Sequence, residues 1–158
     1  MAVKSCFPED AAIGHYPKVR REPKWRLMRA RDYRFTLIMR NDIELVRPRY
    51  EEFEQARRHV VAIAYGTLIE ALLKNEEKKA KVIVDGEMPG IESLIINHLS
   101  KLNGNRPSVV FQADADRTYP IVNYADNIAW WIYQKQRRGE SLQRWKEKKV
   151  RFELEDLL

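Results

Sequence analysis

Four carboxylates in the middle of the chain form two pairs, Asp85 with Glu87 and Asp114 with Asp116. Each pair follows a short apolar run, and residues two apart in an extended chain point to the same side. Carboxylates gathered in one place repel one another unless a cation neutralises them, and hard oxygen ligands favour Mg²⁺ or Mn²⁺ over zinc. The pattern therefore predicts a divalent-metal site built from these four acids.

Two short buried β-strands are predicted to carry the acids, because Val82–Val84 and Val109–Phe111 are rich in residues that suit a covered sheet. The apolar pattern over Ile91–Leu102 predicts a helix between them. A strand, helix and strand in this order form a crossover that makes the two strands parallel neighbours. Parallel strands end at the same edge of a sheet, where sites in open α/β sheets form, so both acid pairs are expected at that edge.

The remaining elements are predicted from hydrophobic periodicity and turn residues. They are a strand over 33–40, a hairpin turn at Asn41–Asp42, a returning strand over Ile43–Val46, a long helix from Pro48 to about Asn75, a helix from Tyr119–Pro120 to Gly139, a short basic helix over Ser141–Lys149 and an edge strand over Val150–Leu154. The predicted fold class is α+β, with a small mixed β-sheet packed with a long central helix and further helices. Residues 32–158 are expected to form one domain, preceded by a basic and partly irregular arm over residues 1–31.

Length and composition describe a globular chain: 158 residues, of which 44% are hydrophobic and 33% are charged. The sequence contains no run of 18 apolar residues, so no membrane-spanning helix is expected. Cys6 is the only cysteine, which excludes an intramolecular disulfide and a cysteine-based zinc site. An intracellular location without membrane association is the expectation that follows.

The formal net charge of +6 is unevenly distributed. The segment from Lys18 to Arg31 has seven basic residues and one acid, with Trp25 among them. Basic residues interleaved with aromatic ones suit a polyanion, and nucleic acid is the usual one. The residues predicted to bind DNA are Arg20, Arg21, Lys24, Arg26, Arg29 and Arg31. A solvated basic arm without a partner is the alternative interpretation.

A basic chain that places four acids in one cleft is suited to metal-assisted hydrolysis of phosphodiesters, which is the chemistry of a nuclease. Other templates are missing from the sequence: it has no Gly-x-x-x-x-Gly-Lys-Ser/Thr loop, no Gly-x-Ser-x-Gly elbow and no His-Glu-x-x-His. Two alternatives stay open, a nucleic-acid-binding protein without catalysis and a protein that packages a viral genome. Metal dependence of activity separates the first interpretation from the other two.

The turn Val84–Glu87, the basic arm and the overall size resemble the small nucleases encoded by filamentous viruses of hyperthermophilic, acidophilic archaea. The resemblance implies an α+β fold, cleavage of linear double-stranded DNA and a location in the host cytoplasm. It also makes Glu87 the main catalytic acid, assisted by Asp85. The stretch from Val82 to Tyr133 is similar to the latter part of ribonuclease-H-like folds, which implies a further acid at Asp126. The chain departs from the Glu-x-Lys pattern of restriction nucleases, because Pro89 stands where that pattern has lysine.

Overall fold

The computed structural model describes residues 33–74, 80–101 and 107–155. Its helices and strands are α1 (Arg40–Val46), α2 (Phe53–Leu73), β1 (Lys81–Asp85), α3 (Glu92–Ser100), β2 (Ser108–Gln112), α4 (Ala115–Thr118) and α5 (Pro120–Arg137), with 3-10 helices at Arg47–Arg49 and Gln143–Lys148. The predicted α+β class is confirmed, and so is a long central helix. The predicted basic arm lies outside the described residues.

The two strands pair in parallel, from Lys81 opposite Ser108 to Asp85 opposite Gln112. The chain passes from β1 to β2 by way of α3, so the predicted crossover with parallel strands is confirmed. One further backbone bond extends the pairing past the end of β1, because the Gly86 N–H donates to the Gln112 carbonyl at 2.9 Å. The ends of both strands are thereby fixed side by side.

The hairpin predicted over residues 33–46 is wrong, because Arg40–Val46 form helix α1. The Asp42 carboxylate accepts a hydrogen bond from the Met39 N–H at 2.6 Å, which satisfies a donor at the helix N-terminus. Ile43 and Val46, three residues apart, are both buried on one face of the helix. Helical spacing and capping therefore replace the predicted returning strand. The first strand, predicted from alternation over Tyr33–Met39, is also absent, since this segment forms one isolated bridge at Phe35.

The predicted edge strand over 150–154 is also wrong, since the structure places no strand there. Lys149 forms one isolated parallel bridge with Phe35, and the chain then continues without ladder pairing. Leu154 is buried in a cluster with Val46 and Val60, and Phe152 packs against that cluster. This segment therefore covers the α1–α2 contact and adds no strand to the sheet.

The main core joins α2, both strands and α3. Ile69 of α2, Val84 of β1 and Ile95 of α3 are completely buried in this cluster. Burying such a side chain stabilises the folded state by about 1.5–3 kcal/mol. A separate cluster of Phe35, Ile128 and Ile132 holds α5 against the extended segment before α1.

Gly66 of α2 lies directly against the His98 ring of α3. A Cβ atom built at this position lies 2.3 Å from Cδ2 and 2.7 Å from Cγ of the His98 ring. We therefore expect Gly66→Ala to destabilise the fold by roughly 1–2 kcal/mol, because the overpacking outweighs the better helix propensity of alanine. Denaturant unfolding followed by circular dichroism measures this change.

The matched control for Gly66→Ala is the double variant with His98→Ala. Removal of the ring leaves room for the new methyl group, so in that background Gly66→Ala should be neutral or stabilise the fold by up to about 1 kcal/mol. The same loss of stability in both backgrounds would show that the His98 ring does not set the spacing of the two helices.

Candidate active site at the carboxyl edge of the sheet

Asp85 is the last residue of β1 and is half-buried at the carboxyl edge of the sheet. The apolar residues before it anchor the strand in the core, so the position of its carboxylate is set by packing and pairing. Gly86 follows with a φ of +92°, a value that glycine adopts without strain. The chain turns sharply there, and the side chains of Asp85 and Glu87 do not continue an extended geometry.

Asp116 approaches Asp85 from the second strand. After β2, Asp114 adopts the left-handed conformation with φ 55° and ψ 31°, which directs the chain into α4. The backbone N–H of Asp116 in this short helix donates to Oδ1 of Asp85 at 3.3 Å. The structure thus brings together one member of each predicted acid pair.

The other two acids lie away from this contact. The Asp114 side chain is 67% exposed, with an oxygen 3.8 Å from the Arg117 guanidinium, and Glu87 is exposed on the loop after Gly86. Positive φ angles at Gly86 and Asp114 explain the outcome, since residues two apart share a side only in extended backbone. The described residues contain no group of three or more His, Cys, Asp or Glu side chains placed to hold a metal ion. The predicted site of four carboxylates is therefore not assembled.

Tyr65 and Asp126 complete the environment of Asp85. The pKa of the Tyr65 phenol is raised to about 12. Burial is the main cause, and the negative charges of Asp85 and Asp126 add to it. Asp126 is half-buried on α5, with its Oδ2 atom shielded from solvent. The charges of both carboxylates act on the ionisation of this phenol, which links residues of α2, β1 and α5 electrostatically.

Sequence reasoning missed Tyr65 and reached Asp126 only through the ribonuclease-H-like resemblance. Tyr65 lies between Ala64 and Gly66 in α2, and nothing in its local sequence separates it from a core tyrosine. Asp126 occupies one position of an amphipathic helix whose polar residues have the pattern of a solvated face. Assigning Tyr65 and Asp126 to the site requires knowledge of the fold, because it depends on which helices pass the edge of the sheet.

Comparisons of the chain with protein-family models, curated proteins and solved structures gave no significant match. The resemblance to viral nucleases therefore stays a prediction from sequence. The residues predicted to bind DNA (Arg20, Arg21, Lys24, Arg26, Arg29 and Arg31) lie outside the described part of the chain. Within that part, no helix combines the length and the apolar character needed to cross a membrane.

The raised pKa of Tyr65 predicts a specific loss of stability in alkali. The phenol keeps its proton in the folded chain up to a pKa of about 12, whereas an ordinary tyrosine loses it near 10.0. As the pH rises from about 10 to 12, the unfolded chain releases this proton first and the free energy of unfolding falls. The contribution of Tyr65 to this fall is roughly 2–3 kcal/mol by pH 12.

The measurement is urea unfolding of the wild type and of Tyr65→Phe at pH 9 and at several higher pH values. Phenylalanine has no proton to release, so the variant should lose less stability than the wild type as the pH rises. Tyr133→Phe is the control, because it changes an exposed tyrosine and leaves Tyr65 intact. Parallel curves for the wild type and Tyr65→Phe would contradict the raised pKa of the buried Tyr65 phenol.

Proposed function

We propose that this chain is a metal-dependent nuclease that hydrolyses phosphodiester bonds of DNA at the carboxyl edge of its sheet. The observation that carries the proposal is the placement of Asp85. This half-buried carboxylate at the end of β1 accepts the Asp116 N–H, and its charge, like that of Asp126, raises the pKa of the buried Tyr65 phenol. Active sites of open α/β sheets occupy this position in the fold.

The donor set at this edge fits a hard divalent cation. Mg²⁺ is usually held by one or two carboxylates together with water and substrate phosphates, and it does not need a cage made only of protein ligands. Asp85 and Asp126 would hold Mg²⁺ or Mn²⁺ together with a phosphate oxygen of the substrate. A metal bound there would supply an activated water molecule and stabilise the leaving oxygen.

The chain's own groups have separable roles in the proposed reaction. The Asp116 N–H fixes the orientation of the Asp85 carboxylate at 3.3 Å. With a pKa of about 12, the Tyr65 phenol keeps its proton at neutral pH, so it acts as a hydrogen-bond donor and not as a base. Glu87, the main catalytic acid predicted from sequence, is exposed beside the site. The geometry favours Asp85 for the leading role and leaves Glu87 as a second acid that contacts substrate at the rim.

The distribution of charge suits a polyanionic substrate. Residues 134–151 contain eight basic residues and two acids, and the predicted arm from Lys18 to Arg31 contains seven basic residues and one acid. The rest of the chain contains 14 basic and 20 acidic residues. Two basic segments thus accompany an acidic body, and segregation of this kind favours binding of a phosphate backbone next to a site that recruits cations. An intracellular location, in line with the single cysteine, is part of the proposal.

The experiment that tests the proposal is incubation of linear double-stranded DNA with highly purified protein in Mg²⁺, in Mn²⁺ and in a chelator. Cleavage is expected with either metal and should stop in the chelator. Intact DNA with both metals, over a broad range of pH and temperature, would overturn the proposal.

A second candidate function is nucleic-acid binding without catalysis, and it is supported by the basic 3-10 helix Gln143–Lys148. Its Trp145 ring meets Trp131 of α5 edge to face at 4.6 Å, and the Lys135 ammonium lies 5.0 Å from the Trp131 ring. These contacts fix a very basic segment on the end of α5, with Arg144 and Lys146 exposed. Salt-dependent DNA binding without metal-dependent cleavage would favour this candidate.

A further inference from the structure

Four residues of α5 share one face of the helix and lead away from the candidate active site. Asp126, Trp130, Tyr133 and Arg137 are spaced by four, three and four residues. At 3.6 residues per turn, their directions fall within an arc of about 60°. The face starts at Asp126, whose carboxylate acts on Tyr65, and ends at the C-terminus of the helix.

The middle of this face consists of two aromatic rings. Tyr133 is 53% exposed, which makes it one of the few large apolar side chains on the described surface. Its ring lies 5.8 Å from the ring of half-buried Trp130, at an interplanar angle of 38°. Trp130 therefore supports the Tyr133 ring from one side, while much of that ring stays open to solvent. Aromatic residues and arginine are enriched at binding interfaces relative to the rest of the protein surface.

We propose that the face formed by Asp126, Trp130, Tyr133 and Arg137 binds single-stranded nucleic acid, with a base stacked on Tyr133 and a phosphate on Arg137. The inference rests on the proposed function and adds to it the class of substrate, a strand whose bases are unpaired. In linear duplex DNA, such bases occur in single-stranded overhangs at the ends of the molecule, and a blunt duplex has none.

The spacing and charge of the face fit this ligand. From Asp126 to Arg137 the helix rises about 16 Å, enough for four to five nucleotides at ~3.4 Å each. Aromatic rings beside arginine are the usual surface for unpaired bases, because every base has a face that stacks. Arg137 and its neighbour Arg138 are both exposed, and they place positive charge at the far end of the face.

The test measures binding of a fluorescent oligothymidylate of about 12 nucleotides, in a chelator, by fluorescence anisotropy. Tyr133→Ala should raise the dissociation constant about 5- to 100-fold, the range expected for loss of one stacked base. Tyr133→Phe keeps the ring and should bind within about twofold of the wild type. Phe53→Ala, which removes another exposed aromatic ring at the start of α2, should leave binding unchanged. A blunt duplex of the same length should bind Tyr133→Ala and the wild type equally.

Because no metal is present, the outcome is independent of hydrolysis. A protein that binds the single strand through Tyr133 but never cleaves DNA would support this inference and overturn the proposed function. Equal affinity of folded Tyr133→Ala and wild type for the single strand would overturn the inference and assign the Tyr133 ring to packing against Trp130 or to a protein partner. Failure of the wild type to bind the single strand would overturn it as well.

Discussion

Asp85→Asn is expected to lower the rate of metal-dependent DNA cleavage at least ~100-fold, the scale of a lost electrostatic or acid–base role. Asparagine keeps the size of the side chain, and its carbonyl oxygen can still accept the Asp116 N–H that Asp85 accepts at 3.3 Å. The variant should therefore fold, with a stability change within about 1 kcal/mol. The measurement is the initial rate of cleavage of labelled linear DNA at saturating Mg²⁺, with folding checked by circular dichroism.

Glu87→Gln is the informative companion to Asp85→Asn, because the sequence predicts the leading role for Glu87 and the proposed function gives it to Asp85. Because Glu87 is an exposed acid at the rim of the site, Glu87→Gln should lower the rate of DNA cleavage by about 10-fold or less. Glu92→Gln, on the first turn of α3, serves as the nearly fully active control. A loss of ~100-fold in Glu87→Gln together with an active Asp85→Asn would reverse the assignment and return the leading role to Glu87.

The largest expected effect on stability belongs to Ile95→Ala, at about 2–5 kcal/mol. Ile95 is completely buried in the core formed by α2, β1, β2 and α3, so truncation removes buried methyl groups and leaves a cavity. For a chain of this size, each kilocalorie lost per mole lowers the midpoint of thermal unfolding by roughly 2–4 °C. Thermal and urea unfolding followed by circular dichroism measure both quantities.

Ile96→Ala is a matched control for Ile95→Ala, since it makes the same chemical change at the next position of the same helix. Ile96 is 50% exposed, so its truncation should change the free energy of unfolding by less than about 1 kcal/mol. Similar losses in the two variants would show that α3 does not pack as described, and the position of β1, with Asp85 at its end, would lose its support.

The two strands and their crossover were predictable because Val82–Val84 and Val109–Phe111 combine β-branched and aromatic residues with a nearby turn signal. Their parallel pairing followed from the length of the connection, which is a property of the chain alone. The segment over 33–46 was not predictable in the same way. Its alternating apolar residues, Tyr33 to Met39, fit a strand but form one isolated bridge at Phe35. After them, the Asp42 cap and the burial of Ile43 and Val46 against α2 stabilise a helix. Tertiary packing outweighs local pattern at such a position.

The sequence placed Asp85 at the carboxyl edge of the sheet, where the structure also has it, but it did not indicate which residues contact its carboxylate. The alternation rule paired Asp85 with Glu87, and positive φ at Gly86 ends the extended geometry on which that rule depends. Tyr65 is separated from Asp85 by a segment of chain that folds back through α2 and β1, so their proximity is a property of the fold. Local spacing carries no information about contacts of this kind.

The most direct test of the central claim is the dependence of the single-turnover cleavage rate on Mn²⁺ concentration, measured side by side for the wild type and Asp85→Asn. We expect the wild-type rate to rise from the chelator baseline and to saturate with Mn²⁺, while Asp85→Asn stays near that baseline at every concentration tested. Saturation of Asp85→Asn at the wild-type rate and at the same Mn²⁺ concentration would contradict the claim that Asp85 forms a metal-dependent nuclease site at this edge of the sheet.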